Sequence, residues 1–257
     1  MVLTRRNLLA NLRLPDVLLL STIQPITFML MFLYVFGGAV EAALPPAAHG
    51  SYVNWLIPGI LAQSAVFGAT PTAYGLHNDR NTGVIDRFRS LPMARSAVLA
   101  GRTLADLVRS TAILLLQLGV GIVLGFRWQA GLAGLLAAIG LALAFGYACS
   151  WVMAALGLAV RNTEAIQAAT YMVVFPLTLV SSVFLPTQTM PGWLQAFAAH
   201  QPVTAEANAV RVLTLGDAAL PPEQTTAGVV VLAVTWTAAV LAVFAPLAVR
   251  VYRRSAR

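Results

Sequence analysis

The side chains that could do chemistry in this chain are few and scattered. Three histidines (His49, His77 and His200), one cysteine (Cys149) and nine acidic residues are spread over 257 positions. No HExxH stands among them, so no pair of histidines shares a helix face with a glutamate base, and a zinc site is not expected. There is no GxSxG. Asn78-Asp79 opens like the NDxxD of a diphosphate-binding site, but Thr82 and Gly83 stand where the second carboxylate is required. All 16 basic residues are arginine. Without lysine there is no phosphate-loop lysine, no Schiff base and no catalytic amine. The chain is not expected to be an enzyme by itself, and any ATP that drives it must be hydrolysed on another chain. Cys149 lies in an apolar run and reads as a small buried hydrophobe; alone, it makes no intramolecular disulfide.

What holds these residues is expected to be a membrane. Hydrophobic residues make up 59% of the chain and charged residues 10%, against about 25% charged in soluble domains. The mean hydropathy is +0.79 and the isoelectric point about 10.5. A hydrocarbon layer of about 30 Å takes about 20 apolar residues in helix. Such runs are expected at Val17 to Val40, Trp55 to Gly75, Leu104 to Phe126, Gly131 to Val160, Ala165 to Leu185 and Ala227 to Val249. No repeat or low-complexity linker divides them, so residues 1–257 read as one membrane domain.

Orientation follows from the arginines, because short cytoplasmic loops hold the basic excess. With the N-terminus inside, the cytoplasmic face takes Arg5, Arg6, Arg13, Arg80, Arg87, Arg89, Arg95, Arg102, Arg109, Arg161, Arg250, Arg253, Arg254 and Arg257; the outside takes Arg127 and Arg211. Both termini are therefore expected in the cytoplasm. Anionic lipid headgroups account for the positive balance without nucleic acid. Residues 1–16 begin with Arg5-Arg6 as an export signal does, but Arg13, Pro15 and Asp16 interrupt the apolar region a signal needs. They read as an interfacial segment instead.

Three stretches break the apolar pattern. Between the second and third spans, residues 78–95 hold the densest charge cluster. On a helix Val84, Phe88 and Leu91 make an apolar stripe, with Asp86, Arg87 and Arg89 elsewhere and Pro92 as a stop. Within the spans, Gln63, Phe67, Gln167, Tyr171 and Phe175 are the candidates for a substrate pathway, alongside Gln24 and Gln117. So few charges favour an amphipathic or lipid-like substrate. Outside, residues 186–226 carry Pro186, Pro191 and Pro202 around Gly192, Trp193 and Leu194, the pattern of a short helix dipping into the outer leaflet. Asp16, Asp106 and Glu164 fall at expected cytoplasmic helix ends. Arg102–Asp106, Asp106–Arg109 and Arg161–Glu164 are spaced to pair locally. A proton-coupled carrier would bury its carboxylates, so it is the weaker transport reading. A lipid-modifying enzyme lacks a polar constellation, and a plain membrane anchor leaves the outer helix unexplained.

Three segments together resemble the membrane subunit of ABC-2 type exporters, of the daunorubicin-resistance kind. They are Gln24-Pro25-Ile26 with Phe32 to Gly38; Asp79 to Gly83 with Asp86 to Pro92; and Met190 to Leu194 with Gln201 to Thr204, Asn208-Ala209 and Arg211. The resemblance implies an all-α membrane fold of six helices, with a coupling helix between the second and third that inserts into a separate ATPase subunit. On this chain the coupling contact would be Asp79, Arg80, Gly83, Val84, Asp86, Arg87, Phe88, Arg89, Leu91 and Pro92. It also implies short re-entrant helices as an outer gate at Pro186, Pro191, Gly192, Trp193, Leu194 and Pro202. Two ATPase copies, a homodimer or a heterodimer with a related permease, and ATP with Mg held on the ATPase rather than on this chain complete the expectation. The cell inner membrane is where such a complex would work.

Overall fold

The computed structural model describes residues 23, 25–41, 44, 51–82, 95–160, 162–219 and 224–254, all of its regular structure helical. The helices are α1 (Pro25–Glu41), α2 (Tyr52–Phe67), α3 (Thr70–Asn81), α4 (Arg95–Val123), α5 (Gly131–Ala159), α6 (Thr163–Leu179), α7 (Gly192–His200), α8 (Pro202–Leu215) and α9 (Thr226–Arg254). Among the described residues three segments are long and apolar enough to cross a bilayer unaided: Thr103–Val123, Gly131–Ala159 and Thr226–Arg253.

The other expected spans are modified for identifiable reasons. The second is two helices, not one, because Pro71 has no N–H for the Phe67 carbonyl one turn back. Gly68 N–H bonds to Ser64 O at 2.8 Å and Ala69 N–H to Val66 O at 3.2 Å, closing α2 before Thr70 opens α3. The helix that holds the third span reaches back to Arg95, while its apolar part, Thr103–Val123, begins next to the expected Leu104. The fifth stops at Leu179, not Leu185, and continues as irregular backbone through residues 180–186. The start of the first span and the 1–16 segment lie outside the described residues. In α1 a π-helical stretch, Phe32–Phe36, brings the Phe32 ring into a stack with Phe184, 3.9 Å between centroids.

α5 is the central post. Its 29 residues are mostly Ala, Gly and Leu without proline, and α2, α3, α4, α8 and α9 all pack on it. Small residues set the approach: a Cβ on Gly157 would overlap Ala73 O of α3, and one on Gly134 would overlap Leu213 O of α8. Gly121 of α4 sits against the Ile57 side chain. Gly125, four residues on, forms the turn after α4 at φ +105, where an added Cβ would meet open space. α6 touches only α2 and α3 among the more extensive helix contacts, and leaves Tyr171, Met172, Val173 and Phe175 exposed.

Candidate functional site

A cavity of about 240 Å³ opens beside the α2–α3 break. α2 contributes Gln63, Ser64 and Phe67, the break Gly68, and α3 Thr70 and Pro71. α4 contributes Arg109, Ile113 and Gln117, α6 Thr170, Tyr171 and Phe175, and α1 Pro25 and Phe28. Five of the residues expected along a pathway, Gln63, Phe67, Gln117, Tyr171 and Phe175, thus meet around one space. Gln167 is exposed on α6 and is not part of the wall.

The wall is aromatic with unsatisfied polar points. Gln117 is 1% exposed, and among the described residues neither its Nε2 nor its Oε1 has a hydrogen-bond partner. The hydroxyls of Ser64, Thr70 and Thr170 are likewise unpartnered. Buried polar groups ordinarily find partners, and in a cavity wall such groups are available to a ligand.

The Asp106–Arg109 pair corrects an expectation. It does not lie at a solvated helix end: the two residues are 3% and 6% exposed, under the α2–α3 break. Arg109 Nη2 donates to Gly68 O at 2.8 Å, and its Nε stands 3.9 Å from Asp106 Oδ1. Thr72 donates its hydroxyl to Asp106 Oδ2 at 2.6 Å. The pair therefore ties α4 to the break, through a carbonyl that a regular helix would have used internally. The side chains of Arg102 and Arg161 lie outside the described residues.

The region after α6 is a hairpin of short helices. Pro186 precedes the 3-10 turn Thr187–Thr189, Pro191 caps α7, whose Leu194 N–H returns to Pro191 O at 2.9 Å, and Pro202 opens α8. Gly192 begins α7, and Trp193 is 78% exposed. The irregular backbone of residues 180–186 is satisfied by side chains from its neighbours. Gln201 Nε2 donates to Val180 O at 3.3 Å and to Leu177 O at the end of α6 at 2.9 Å, Thr204 Oγ1 accepts from Ser182 N, and Tyr52 OH donates to Phe184 O at 2.9 Å.

Arg211, counted from the sequence as one of two external charges, is instead 1% exposed and the hub of this region. Its Nε donates to Trp55 O at 3.0 Å, Nη1 to Asn208 Oδ1 at 2.9 Å and Ser182 Oγ at 3.1 Å, and Nη2 to Val183 O at 3.0 Å and to Ser182 O. The guanidinium lies 3.8 Å from the centre of the Trp55 ring. Glu206, which the sequence reading passed over, is fully buried on α8 with both carboxylate oxygens unpartnered among the described residues. A lone acid in the otherwise uncharged turn before Arg211 was the available signal.

At the opposite end, α3 clamps the C-terminus of α5. Arg80 Nη1 donates to Leu158 O at 2.9 Å, and His77 Nδ1 donates to Val160 O at 3.3 Å while Nε2 accepts from Asn81 Nδ2 at 2.9 Å. These cap carbonyls that α5 leaves open. Asn78, Asp79 and Arg80 belong to the last turns of α3 rather than to a separate coupling helix. Gly83, Val84, Asp86, Arg87, Phe88, Arg89, Leu91 and Pro92 lie outside the described residues.

A bundle of apolar helices, a broken second element and a lined internal cavity make this a helical membrane protein with a chamber between its helices. The chain belongs to the ABC-2 type transporter family, whose model matches residues 1–215. It is 35% identical over 248 residues to the daunorubicin resistance ABC transporter permease protein DrrB1 of Streptomyces coeruleorubidus, covering 96% of this chain and 83% of that protein. Against the probable doxorubicin resistance permease DrrC of Mycobacterium tuberculosis it is 30% identical over 236 residues, covering 91% and 81%. Against DrrB of the same organism it is 27% identical over 224 residues, covering 86% and 77%. The chain is the permease subunit of an ABC exporter.

Proposed function

We propose that this chain is one six-span half of a dimeric inner-membrane exporter, moving an amphipathic drug, antibiotic or lipid-like molecule outward. The cavity between α2, α4 and α6 carries the reading, because an aromatic wall with scattered unpartnered hydroxyls and amides suits a mostly apolar molecule with a few polar groups. The α2–α3 pair serves as the second span, α1 and α6 as the first and fifth. Both termini face the cytoplasm, where the arginine excess lies. The exposed apolar side of α6 receives the second permease, a copy of this chain or a related one.

Two copies of a separate ATPase subunit, holding ATP and Mg, drive the cycle, and this chain holds no cofactor. The 78–95 region docks on that subunit. Its movement passes through His77 and Arg80 to the end of α5. The α7–α8 hairpin closes the outer side. The test is co-reconstitution with the ATPase encoded nearby: ATP-dependent accumulation of a fluorescent amphiphile in inside-out vesicles is expected, lost on Phe175→Ala. Charge reversal at Asp86 and Arg87 is expected to break co-purification or the stimulation of ATP turnover. If the ATPase neither co-purifies nor responds, the reading fails.

A further inference from the structure

Resting on that export reading, we propose that the cavity chooses its passenger through a neutral hydrogen-bonding group, held between Gln117 of α4 and Thr170 of α6. The molecule that fits has an apolar ring body and, at one end, a donor and an acceptor side by side, as in a primary amide, a lactam or an imide. Two side chains carry this assignment. Gln117 is 1% exposed and Thr170 2% exposed, both line the cavity of about 240 Å³, and neither has a hydrogen-bond partner among the described residues.

Both depart from what their residue types do in a membrane helix. A glutamine there ordinarily bonds across to a neighbouring helix, and a threonine hydroxyl bonds back to the carbonyl one turn earlier. Thr178 of the same α6 does so, donating to Val174 O at 2.9 Å, and Thr111, Thr214, Thr235 and Thr237 do likewise. Thr170 does not, and α4 and α6 share no extensive contact through which Gln117 could find a partner on the facing helix. The cavity stands between the two helices instead, so a ligand bonded to both is the link that the described residues do not make.

The chemistry of the occupant follows from the donors and acceptors on offer. The Gln117 carboxamide presents an N–H and a carbonyl oxygen in one plane, which a second amide group answers with a pair of parallel hydrogen bonds. The Thr170 hydroxyl, donor and acceptor at once, takes a remaining lone pair or N–H of that group. Phe67, Tyr171 and Phe175 supply ring surface for the apolar body. Arg109 lines the same space, but its charge is answered by Asp106, 3.9 Å from its Nε, and its Nη2 donates to Gly68 O. Selection therefore rests on the neutral groups. Water that enters can satisfy Gln117 and Thr170, so a passenger displacing it must return those hydrogen bonds, and a purely apolar one forfeits them.

The test is equilibrium binding to the full-length chain in nanodiscs of zwitterionic lipid, each affinity taken relative to partition into empty nanodiscs. The probes are neutral and matched: a naphthylalkyl primary amide, its N,N-dimethylamide, which keeps the acceptor and loses the donors, and the isopropyl analogue of similar shape, which has neither. The primary amide is expected to bind about tenfold or more tightly than the isopropyl analogue, with the dimethylamide between them. Gln117→Met, close in volume, should erase that order by weakening the primary amide alone; a shift of all three probes together would mark a merely structural role and overturn the proposal. Thr170→Val should weaken the primary amide by about threefold and leave the isopropyl analogue unchanged. A wild type that does not prefer the primary amide, or a preference that survives Gln117→Met, overturns the proposal, and an amide affinity indifferent to Thr170→Val overturns the bridge between α4 and α6. Phe175→Ala separates this inference from the export reading. If it weakens all three probes while their order ignores Gln117, the cavity stands and the amide selection falls; if it weakens none, the cavity is not the site and both fall.

Discussion

Replacing Arg211 tests whether the irregular backbone after α6 is held by one side chain. A buried guanidinium carries its own desolvation cost, so removing it can be neutral if its acceptors find other donors. Here they do not. Arg211 is the donor for the Ser182 and Val183 carbonyls, which belong to no helix, and it sits among neutral acceptors and the Trp55 face rather than a carboxylate. In Arg211→Met both carbonyls lose their partner in a protein interior closed to water. At about 1–3 kcal/mol for each orphaned group the loss is about 2–6 kcal/mol, or roughly 5–20 °C in Tm for a chain of this size. Arg211→Lys keeps the charge but loses the fork and should fall between. The assay needs no label: Cys149 is the one cysteine and is buried, so a fluorogenic maleimide in detergent reports its exposure on heating. A melting point for Arg211→Met within about 2 °C of the wild type, less than one orphaned carbonyl is worth, would refute the reasoning.

Other substitutions read different parts of the fold. Gly59→Ala would place its Cβ 2.5 Å from Val183 O and 2.8 Å from Arg211 Nη2; it should cost about 1–3 kcal/mol by overpacking, whereas Gly140→Ala, with nothing within 4 Å, should not lower the same melting point. Gln117→Leu should raise thermal stability by removing a buried amide unpartnered among the described residues while weakening binding of a neutral fluorescent amphiphile, the stability and binding changes running in opposite directions. Glu206→Leu should also raise stability, and an unchanged or lower melting point would mean the carboxylate has a partner in the membrane. Arg80→Ala and His77→Ala together should leave ATP turnover by the partner intact but reduce transport per ATP in vesicles; equal losses of both would place the clamp outside the coupling path.

The membrane class and the course of α5 and α9 were legible because hydropathy depends on composition over a long window, and those helices are uninterrupted. The α2–α3 break was hidden from the same window, since Phe67 to Pro71 stays apolar while its backbone changes course. The signal was Pro71 itself. Tyr171 and Phe175 were recognisable as cavity residues, but Gln167 continues that i, i+4 series backward, each step drifting about 40° from a true helical repeat. It rotates out of the wall that Thr170 enters. Asp106 and Arg109 read as an end-of-helix pair because the span was expected to begin at Leu104; with α4 starting at Arg95 they lie several turns inside. The burial of Arg211 was hidden for a further reason. Its acceptors at Trp55, Ser182 and Val183 are distant in sequence, so no local pattern shows that the charge is buried.

α2 joins these features mechanically. Near its start Tyr52 and Trp55 are fastened to the Phe184 carbonyl and to Arg211; in its middle Gln63, Ser64 and Phe67 face the cavity. Past the break, α3 is fastened instead to α5 through Arg80, His77 and the Gly157–Ala73 approach. On the coupling proposed above, a displacement passed to α3 would bend the chain at Gly68–Ala69, where Arg109 holds the Gly68 carbonyl. The bend would change the cavity wall at Thr70 and Pro71 while the Arg211 hub keeps the start of α2 in place. On that reading the fold has a fixed end, a deformable middle and a driven end. That arrangement predicts that a disulfide linking α3 to α4 across the break blocks transport, whereas one linking α2 to α8 near Arg211 does not.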